Sequence, residues 1–346
     1  MNVKQLALKT LTPWLKPIKG RFKPIKGRFK QHWQWSRKGK IIQLRPLKRI
    51  IHPIPKLDLQ ACLAVKGQLL GMAGPQWQVY CYQSHELDAM LMELGRLREI
   101  NFRLVGEGTG KSHDLDQYDL QYQHLLLWQP EKSELVAAYR IRATSCELLA
   151  DKKLYSQELF EYLPTAAALV NSGAELGRSF ICAQYWHSRS LDYLWQGIGL
   201  WLQARPEVRY LFGPVSLPGY WPKGSKDLLL SFYRHHFSWP EPVVRARCPV
   251  QFKRHHAWTG NYQQDFSLLK QQLAAKQLAI PTLYKQYTEL CLPGGVGFAD
   301  FNLDASFGNC IDGLVVVDLK AMKANKARRY LGAASLHLVD PAVAGP

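Results

Sequence analysis

The sequence predicts an α/β fold in which helices flank a mixed central sheet, preceded by a disordered basic N-terminal arm. Short segments rich in β-branched and aromatic residues alternate with segments of helical apolar spacing, as in α/β proteins. Two apolar runs are joined by the polar link QPEKSE, which indicates a hairpin, so the sheet is not purely parallel. The first 56 residues lack the composition of a core. We therefore expect an arm at 1–56, one domain at 57–325 and a tail at 326–346.

The composition argues against several classes of protein. Of the 346 residues, 47% are hydrophobic and 21% are charged, as in soluble globular proteins. No run of about 18 apolar residues is present, and the N-terminus lacks the apolar segment of a signal peptide. We therefore expect a cytoplasmic protein, with peripheral contact to the inner membrane as an option. The seven scattered cysteines form no C-x-x-C motif, so neither a zinc knuckle nor a redox motif is supported. We expect no metal ion and no bound cofactor.

Most of the net charge of +18 lies in the arm. Sixteen of the 45 Lys and Arg residues precede the first acidic residue, Asp58, which leaves 29 basic against 27 acidic residues. The arm contains the tandem repeat KPIKGRFKPIKGRF, whose prolines and glycines disfavour a long helix. Basic and aromatic residues between Lys16 and Lys30 suit an anionic membrane surface or, less favoured, nucleic acid. A solvated tail is the third interpretation.

The first elements of the domain follow the arm directly. Residues 57–65 and 76–82 are expected to be strands, because they are short, rich in β-branched or aromatic residues and bounded by Gly or Pro. A helix comes next, with Ser84 as a suitable N-cap. Its apolar residues recur at helical spacing and are Leu87, Met90, Leu91, Leu94 and Leu97. The two strands of the hairpin follow at 124–129 and 134–142.

Further segments alternate between the two patterns, which supports the mixed sheet. Those with strand character are residues 174–183, 209–215 and 313–319. Those with helical spacing are residues 191–203, 227–236 and 270–279.

The segment VGEGTGKS is similar to a phosphate-binding P-loop but fails its spacing. The motif requires a glycine five residues before Gly110, and Val105 stands there. Asp114, Asp116 and Asp119 follow closely, and their charges would repel a triphosphate. We therefore interpret these glycines as a flexible loop and not as a nucleotide site.

Two histidine patterns are also set aside. The segment HSRSLD, at 187–192, matches the H-x-x-x-x-D motif of glycerolipid O-acyltransferases, in which a carboxylate orients a histidine base. The Gly-rich segment precedes it here, which reverses the order of that family, so we attribute the match to chance. The histidine pairs at 235–236 and 255–256 lack neighbours at metal-ligand spacing in the sequence.

Four short blocks in linked order resemble the acyl-homoserine-lactone synthases. They are R-x-x-x-F, an acidic segment, a strand arginine and E-x-x-R, formed here by Arg98 and Phe102, by Asp114, Asp116 and Asp119, by Arg140, and by Glu175 and Arg178. From about residue 80 to 319, with segments such as ELGRSF and YLFGPVS, the chain is more similar to the ornithine–acyl-carrier-protein N-acyltransferases, the "putative hemolysin" group of the GNAT-like fold. Gly108 stands where the lactone synthases have an aromatic residue, and Asp114 replaces a glutamate.

The resemblance implies a GNAT-like fold and an N-acyltransferase activity. A (3-hydroxy)fatty acyl group would move from acyl-carrier protein to the α-amine of an amino acid such as ornithine or glycine, giving a lyso-aminolipid. The Q/R-x-x-G-x-G loop of acetyl-CoA enzymes is missing after the strand at 174–183, which fits a donor held by acyl-carrier protein. A lactone-type signal synthase and a nucleic-acid-binding protein acting through the arm are the alternatives.

The resemblance also suggests roles for the matched residues. Asp116, Asp119 and Glu175 are the candidates for orienting the amine and accepting its proton. Arg140 and Arg178 would anchor the acidic segment or hold a substrate carboxylate. Alternatively, the pairs Asp116–Arg140 and Glu175–Arg178 are structural ion pairs that organise a loop.

The remaining matched residues would bind the substrates. Arg98 and Arg103 would contact the carrier protein or support the Gly-rich loop, while Phe102 and Ser179 are candidate substrate contacts. A backbone N–H beside Gly177, where the glycine would permit an irregular strand, would stabilise the oxyanion of acyl transfer.

Overall fold

The computed structural model describes residues 47–253 and 258–332 in full, and the backbone of two short strands before them. These are β1 (Trp33–Trp35) and β2 (Ile41–Gln43), which pair in antiparallel fashion. The arm repeat and the last fourteen residues of the predicted tail lie outside the described residues.

The chain divides into two compact units, residues 1–46 and residues 47–346. The second unit holds the whole sheet described below. The boundaries expected at residues 56 and 325 stay predictions.

An eight-stranded mixed sheet forms the centre of the second unit. In spatial order its strands are β11 (Val296–Asp304), β12 (Cys310–Asp318), β9 (Tyr210–Leu217), β8 (Gly173–Ile181), β6 (Glu134–Ala143), β5 (Gln123–Gln129), β4 (Trp77–Tyr82) and β3 (Gly67–Ala73). All neighbours in this sheet are antiparallel except β8 and β9. Strands β7 (Phe160–Tyr162) and β10 (Val244–Ala246) pair with each other outside it.

Helices cover both faces of the sheet. In the described residues they are α1 (Lys56–Lys66), α2 (Ala89–Leu104), α3 (Cys146–Ala150), α4 (Ala167–Asn171), α5 (Ser190–Leu202), α6 (Lys223–His236), α7 (Tyr262–Ala274), α8 (Thr282–Thr288) and α9 (Ala324–Tyr330). None of these helices has both the length and the apolarity that a membrane span requires. The predicted α/β fold with a mixed sheet between helices is confirmed.

Each face of the sheet carries its own apolar core. Helices α5 and α6 bury residues such as Trp195 and Phe232 on the face to which Leu125 points. Helices α1 and α2 bury residues such as Leu94 on the opposite face, with Leu126. Because both faces are covered, a strand such as β5 is apolar without alternation.

The parallel pair β8–β9 is short. It extends over Gly173–Glu175 of β8 and Tyr210–Phe212 of β9. Beyond it, β8 stays paired with β6, while β9 stays paired with β12. The two strands therefore part in the middle of the sheet, and we call the gap between them the cleft.

The strand predicted at 57–65 is wrong, because this segment forms α1. Its buried residues Leu59 and Leu63 are four apart, so they lie on one side of a helix and pack in the same core as α2. Asp58 in the first turn and Lys66 in the last turn suit the helix dipole. A short apolar run does not distinguish a strand from a helix by itself.

The helix predicted from the leucine spacing is confirmed as α2, but its N-cap is not Ser84. Asp88 holds that position, and its Oδ1 accepts a hydrogen bond from the backbone N–H of Leu91 at 3.0 Å. Ser84 Oγ instead donates to the carbonyl oxygen of Glu86 at 2.8 Å. The helix expected at 270–279 is part of α7, which begins earlier, at Tyr262, and ends at Ala274.

Candidate functional site

The register of the strands places a row of polar positions on one face of the sheet. His124 of β5 lies opposite Arg140 of β6, which lies opposite Gly177 of β8. Across the cleft, Ser216 of β9 lies opposite Asp312 of β12. Directly opposed residues of antiparallel strands share a face. The cleft therefore has Arg140 on the side of β8 and Asp312 on the side of β9.

Gly177 borders open space on this face. It is buried, yet a Cβ added to it would meet no atom within 4 Å. A Cβ on Gly213, across the cleft, would lie 1.9 Å from the carbonyl oxygen of Leu176. The glycine at 177 therefore leaves room for a ligand, whereas the glycine at 213 lets two strands approach.

A β-bulge bends β8 beside the cleft. The register between β6 and β8 shifts between Ala138 and Arg140, so two residues of β8, Arg178 and Ser179, oppose Tyr139. Arg178 has φ 49°, a left-handed conformation that a non-glycine residue adopts at a cost of about 1–3 kcal/mol. The irregular strand expected here is present, but the distorted residue is Arg178 and not Gly177.

Buried ion pairs join the acidic segment to α2 and β6. Arg98 Nη1 donates to Asp119 Oδ1 at 2.6 Å, and both side chains are fully buried. Arg140 Nη1 donates to Asp116 Oδ1 at 2.6 Å and to Asp119 Oδ1 at 3.3 Å. The predicted pair Asp116–Arg140 is therefore present, and Asp119 lies between two guanidinium groups.

Hydrogen bonds within the local turn also position these two carboxylates. Asp116 accepts a hydrogen bond from the backbone N–H of Tyr118 at 2.9 Å, and Asp119 Oδ2 accepts one from the N–H of Asp116 at 2.8 Å. Together they form the capping box of a single helical turn at Gln117–Leu120. Burial alone would raise the pKa of Asp119, but the charges of Arg98 and Arg140 hold it well below its usual range.

His124 is a neutral member of this network. Its Nδ1 accepts from Arg98 Nη2 at 3.2 Å, and its Nε2 donates to the carbonyl oxygen of Asp119 at 3.0 Å. Burial, together with the charge of Arg98, lowers its pKa to about 4. The residue therefore orients Arg98 and carries no charge at neutral pH.

Arg178 reaches from the bulge to the same acidic segment. Its guanidinium lies 3.2 Å from Asp114 Oδ2 and 3.5 Å from Asp116 Oδ2. Nη1 also donates to the hydroxyl of Tyr155 at 2.9 Å, and the guanidinium stacks over the ring of Phe307 at 5.0 Å. The bulge thus places a cation at the edge of the cleft.

Glu175 is enclosed away from Arg178. Its Oε1 accepts from the backbone N–H of Ser156 at 2.7 Å, and its Oε2 accepts from the hydroxyl of Tyr122. Burial raises its pKa. The ion pair Glu175–Arg178, considered from the sequence, is not formed.

The Gly-rich loop is held by a carboxylate of the protein itself. Glu99 accepts hydrogen bonds from the backbone N–H groups of Thr109 at 3.1 Å and of Gly110 at 2.8 Å. Arg103 donates to Glu99 at 2.7 Å and to the carbonyl oxygens of Lys48 and Lys111. These backbone donors, which a P-loop would offer to a phosphate, are already used.

The other two predicted contacts lie on either side of the network. Phe102 is buried and packs edge-on against Phe307 at 5.2 Å. Ser179 is half-buried in the bulge, next to Arg178. The structure therefore brings the predicted site residues to one region, while their roles stay predictions.

A second acidic group, missed from the sequence, lies on the other side of the cleft. It consists of Glu107, Asp304 and Asp312, all nearly buried. Ser216 Oγ donates to Glu107 Oε2 at 2.8 Å, and the Cys310 thiol lies 3.6 Å from Asp312 Oδ2. Burial and the neighbouring Asp304 and Glu107 raise the pKa of Asp312 to about 8, and burial raises that of Glu107 to about 7. The available signal is a carboxylate, Asp312, between apolar residues of the strand CIDGLVVVD.

The histidine pair at 235–236 has an acidic neighbour that its sequence spacing does not show. Ligand atoms of His235, His236 and Asp265 lie within 4.8 Å of one another. Asp265 already accepts hydrogen bonds from Thr259, from Gly260 N–H at 3.1 Å and from His236 at 2.8 Å. Its oxygens therefore serve to hold the turn before α7.

Comparison with known proteins relates the chain to acyltransferases. Residues 97–196 match the family model described as an acetyltransferase (GNAT) domain. A glycine N(alpha)-acyltransferase of Bacteroides thetaiotaomicron is 30% identical over 272 residues, covering 70% of this chain and 78% of that protein. One of Phocaeicola vulgatus is 29% identical over 278 residues, covering 70% and 81%. An L-ornithine N(alpha)-acyltransferase of Agrobacterium fabrum is 26% identical over 246 residues, covering 69% and 78%.

Proposed function

Because the chain belongs to the GNAT-type N(alpha)-acyltransferases, we propose that it transfers a fatty acyl group from acyl-carrier protein to the α-amine of an amino acid and so makes a lyso-aminolipid. The acceptors that its relatives name are glycine and L-ornithine. The observation that carries the proposal is the cleft between β8 and β9, with a bulge and the open space over Gly177 on one of its sides.

Such a cleft suits the reaction. The amine nitrogen attacks the thioester carbonyl carbon, and the C=O electron pair moves to oxygen. The C–S bond then breaks, and the products are an amide and a thiol. The oxyanion is stabilised by preorganised N–H donors, and the bulge beside Ser179 interrupts the ladder and leaves backbone groups of β8 for this role.

The arginine network would form the rigid wall of this site. Arg98, Asp119 and Arg140 fix one another through buried ion pairs, which preorganises Arg178 at the edge of the cleft. Arg178 is partly accessible and would bind the carboxylate of the acceptor amino acid. Asp116 would position both arginines, because it contacts Arg140 and Arg178.

The surface near the Gly-rich loop favours an acidic donor protein. Lys48, Arg49 and Lys111 are exposed there, and the backbone N–H of Lys48 donates to the carbonyl oxygen of Gly110 at 2.9 Å. Arg103 lies beneath them and is held by Glu99. We propose that these basic residues bind acyl-carrier protein through charge complementarity.

The test is an assay with purified protein, 3-hydroxyacyl carrier protein and either glycine or L-ornithine. We expect an N-acylated amino acid, detected by mass spectrometry, and a loss of at least tenfold in rate in Arg178→Ala. Arg245→Ala is the matched control, because Arg245 forms an exposed pair with Glu161. Acyl-CoA in place of the carrier protein should give a slower reaction.

Two results would contradict the proposal. Hydrolysis of the thioester with no amide in the presence of either amino acid would exclude acyl transfer to these acceptors. An acyl-homoserine lactone as the product would move the chain to the signal synthases.

A further inference from the structure

Three buried carboxylates that lie together in the described residues form no ion pair with a lysine, arginine or histidine. The carboxylates that are buried in the described residues are Glu93, Glu99, Glu107, Asp114, Asp119, Glu175, Asp265, Asp304 and Asp312. Five of these contact an arginine or a histidine. Glu175 is satisfied by a hydroxyl and a backbone N–H. The three that remain, Glu107, Asp304 and Asp312, lie together beside the cleft, and a buried charge without a partner is costly.

Each of these three residues keeps one oxygen without a hydrogen bond from any described residue. Glu107 bonds Ser216 through Oε2, and Asp304 bonds Ser306 and Phe307 through Oδ1. Asp312 is 6% exposed, its Oδ2 faces only a thiol, and its Oδ1 is unpartnered. None of these three oxygens is fully buried, so each is accessible to a small ligand.

The chemistry of this group matches an ammonium ion. An ammonium presents three N–H donors and a positive charge. The unpartnered Oδ1 of Asp312 is a suitable acceptor for one of these donors, and Glu107 and Asp304 add negative charge beside it. The group also lies close to the arginine wall, because the Arg178 guanidinium stacks over the ring of Phe307 at 5.0 Å and the backbone N–H of Phe307 donates to Asp304 Oδ1 at 3.2 Å. An amino acid has an ammonium and a carboxylate a few bonds apart, so it can engage both sides at once.

We infer that Glu107, Asp304 and Asp312 form the binding site for the protonated α-amine of the acceptor, and that Asp312 accepts the proton that the amine must lose before it attacks. This inference rests on the proposed acyl transfer and adds to it the residues that select and activate the amine.

The proton transfers balance. The bound ammonium gives one proton to Asp312, and the free electron pair of nitrogen forms the C–N bond. As the C–S bond breaks, the departing sulfur takes a second proton from nitrogen, and Asp312 returns its own to solvent. A base is most effective when its pKa lies near the working pH, and that of Asp312 is about 8.

Several charged and titratable groups act on Asp312 and set this behaviour. They are Glu107 before β5, Asp304 on β11, Cys310 on its own strand, Arg178 on β8, Tyr155 in the turn after α3 and Tyr284 on α8. Because the raised pKa of Asp312 favours its protonated form at pH 7, we expect an ammonium that enters the site to displace this proton. Acceptor binding should therefore release protons to the buffer.

The test is calorimetric titration of the full chain with glycine and with L-ornithine, without an acyl donor, at pH 7 in two buffers of different ionisation enthalpy. We expect net proton release on binding, and at least tenfold weaker binding in Asp312→Asn and in Glu107→Gln. Glycolate, which has a hydroxyl in place of the amine, should bind at least tenfold more weakly than glycine. Asp151→Asn is the matched control, because Asp151 is exposed and bonds Lys153.

The outcomes separate this inference from the proposed function. Wild-type affinity, or unchanged proton release, in Asp312→Asn would overturn the amine site even if acyl transfer is observed. Amide formation by Asp312→Asn at the wild-type KM and kcat would do the same. A chain that binds glycine with proton release but acylates no amine would refute the proposed acyl transfer and leave the amine site standing.

Discussion

Asp119 neutralises two buried guanidinium groups, so we expect its replacement to lower the stability of the folded protein. In Asp119→Asn, Arg98 and Arg140 keep their charges in a fully buried setting without the shared counter-charge. Breaking a buried pair in this way costs about 3–5 kcal/mol, and we expect that loss in the free energy of unfolding measured by urea denaturation. A change below about 1 kcal/mol, as expected for the exposed control Asp151→Asn, would show that the network is not needed for stability.

Replacement of Asp312 should, in contrast, stabilise the protein at high pH, because the pKa of this residue is raised. A carboxyl group with a raised pKa keeps its proton in the folded protein while the unfolded chain loses it near pH 4, so stability falls as pH rises from about 4 through about 8. Asp312→Asn removes this cost. We expect a gain on the order of a few kcal/mol at pH 9 and almost none at pH 4, measured as the difference in unfolding free energy at the two pH values. An equal effect at both would contradict the raised pKa.

Individual residues differ in how far the sequence reveals them. The ion pair Asp116–Arg140 is one of the two that the sequence analysis considers, and the structure contains it. Glu107 and Asp312 could not be brought together from the sequence, because they are far apart in the chain and meet only when β9 pairs with β12 and Ser216 joins them. The distorted conformation of Arg178 also depends on the register of two strands, which no local pattern encodes.

At the scale of elements, one glycine on β8 and one on β9 should respond differently to substitution. Gly177→Ala should fold normally, because its Cβ meets open space, yet it should lower acyl transfer by narrowing the cleft. Gly213→Ala on β9 should instead lower stability sharply, because its Cβ would clash with the carbonyl oxygen of Leu176. Thermal melts and the amide assay on both variants check this; a loss of stability in Gly177→Ala would argue against an open cleft.

Elements whose apolar residues recur with a clear spacing can be predicted from the sequence, whereas short elements cannot. The hairpin β5–β6 and helix α2 follow from apolar runs with a clear turn or a clear 3.6-residue spacing. The sequence of helix α1 predicts a strand instead, because its apolar run is too short to show a helical period, and only Leu59 and Leu63 of this helix are buried. Its identity is decided by packing against α2, which lies some twenty residues further along the chain.

At the scale of the whole molecule, the two units should be separable. Residues 47–346 contain the complete sheet and its covering helices, so deletion of residues 1–46 should leave the melting temperature unchanged. The deletion should also abolish binding to vesicles rich in anionic lipid, because most of the positive charge is removed. Cosedimentation at rising salt measures this, and vesicle binding that survives the deletion would exclude the arm as the membrane contact. Salt-dependent nucleic-acid binding lost on the same deletion would favour the alternative partner.

The short pairing of β8 with β9 has a consequence for how such enzymes diversify. The part of the chain up to β8 carries the arginine wall, whereas β11 and β12 carry two of the three acidic residues. In the sheet, the two halves are paired through only three residues of β8 and three of β9. If the acidic group selects the amine as proposed, we expect changes in the last hairpin alone to alter the preferred amine and to leave the acyl-transfer chemistry intact. A chimera that exchanges residues 296–318 with those of an ornithine-specific relative should change its preferred amino acid and retain its preferred acyl chain.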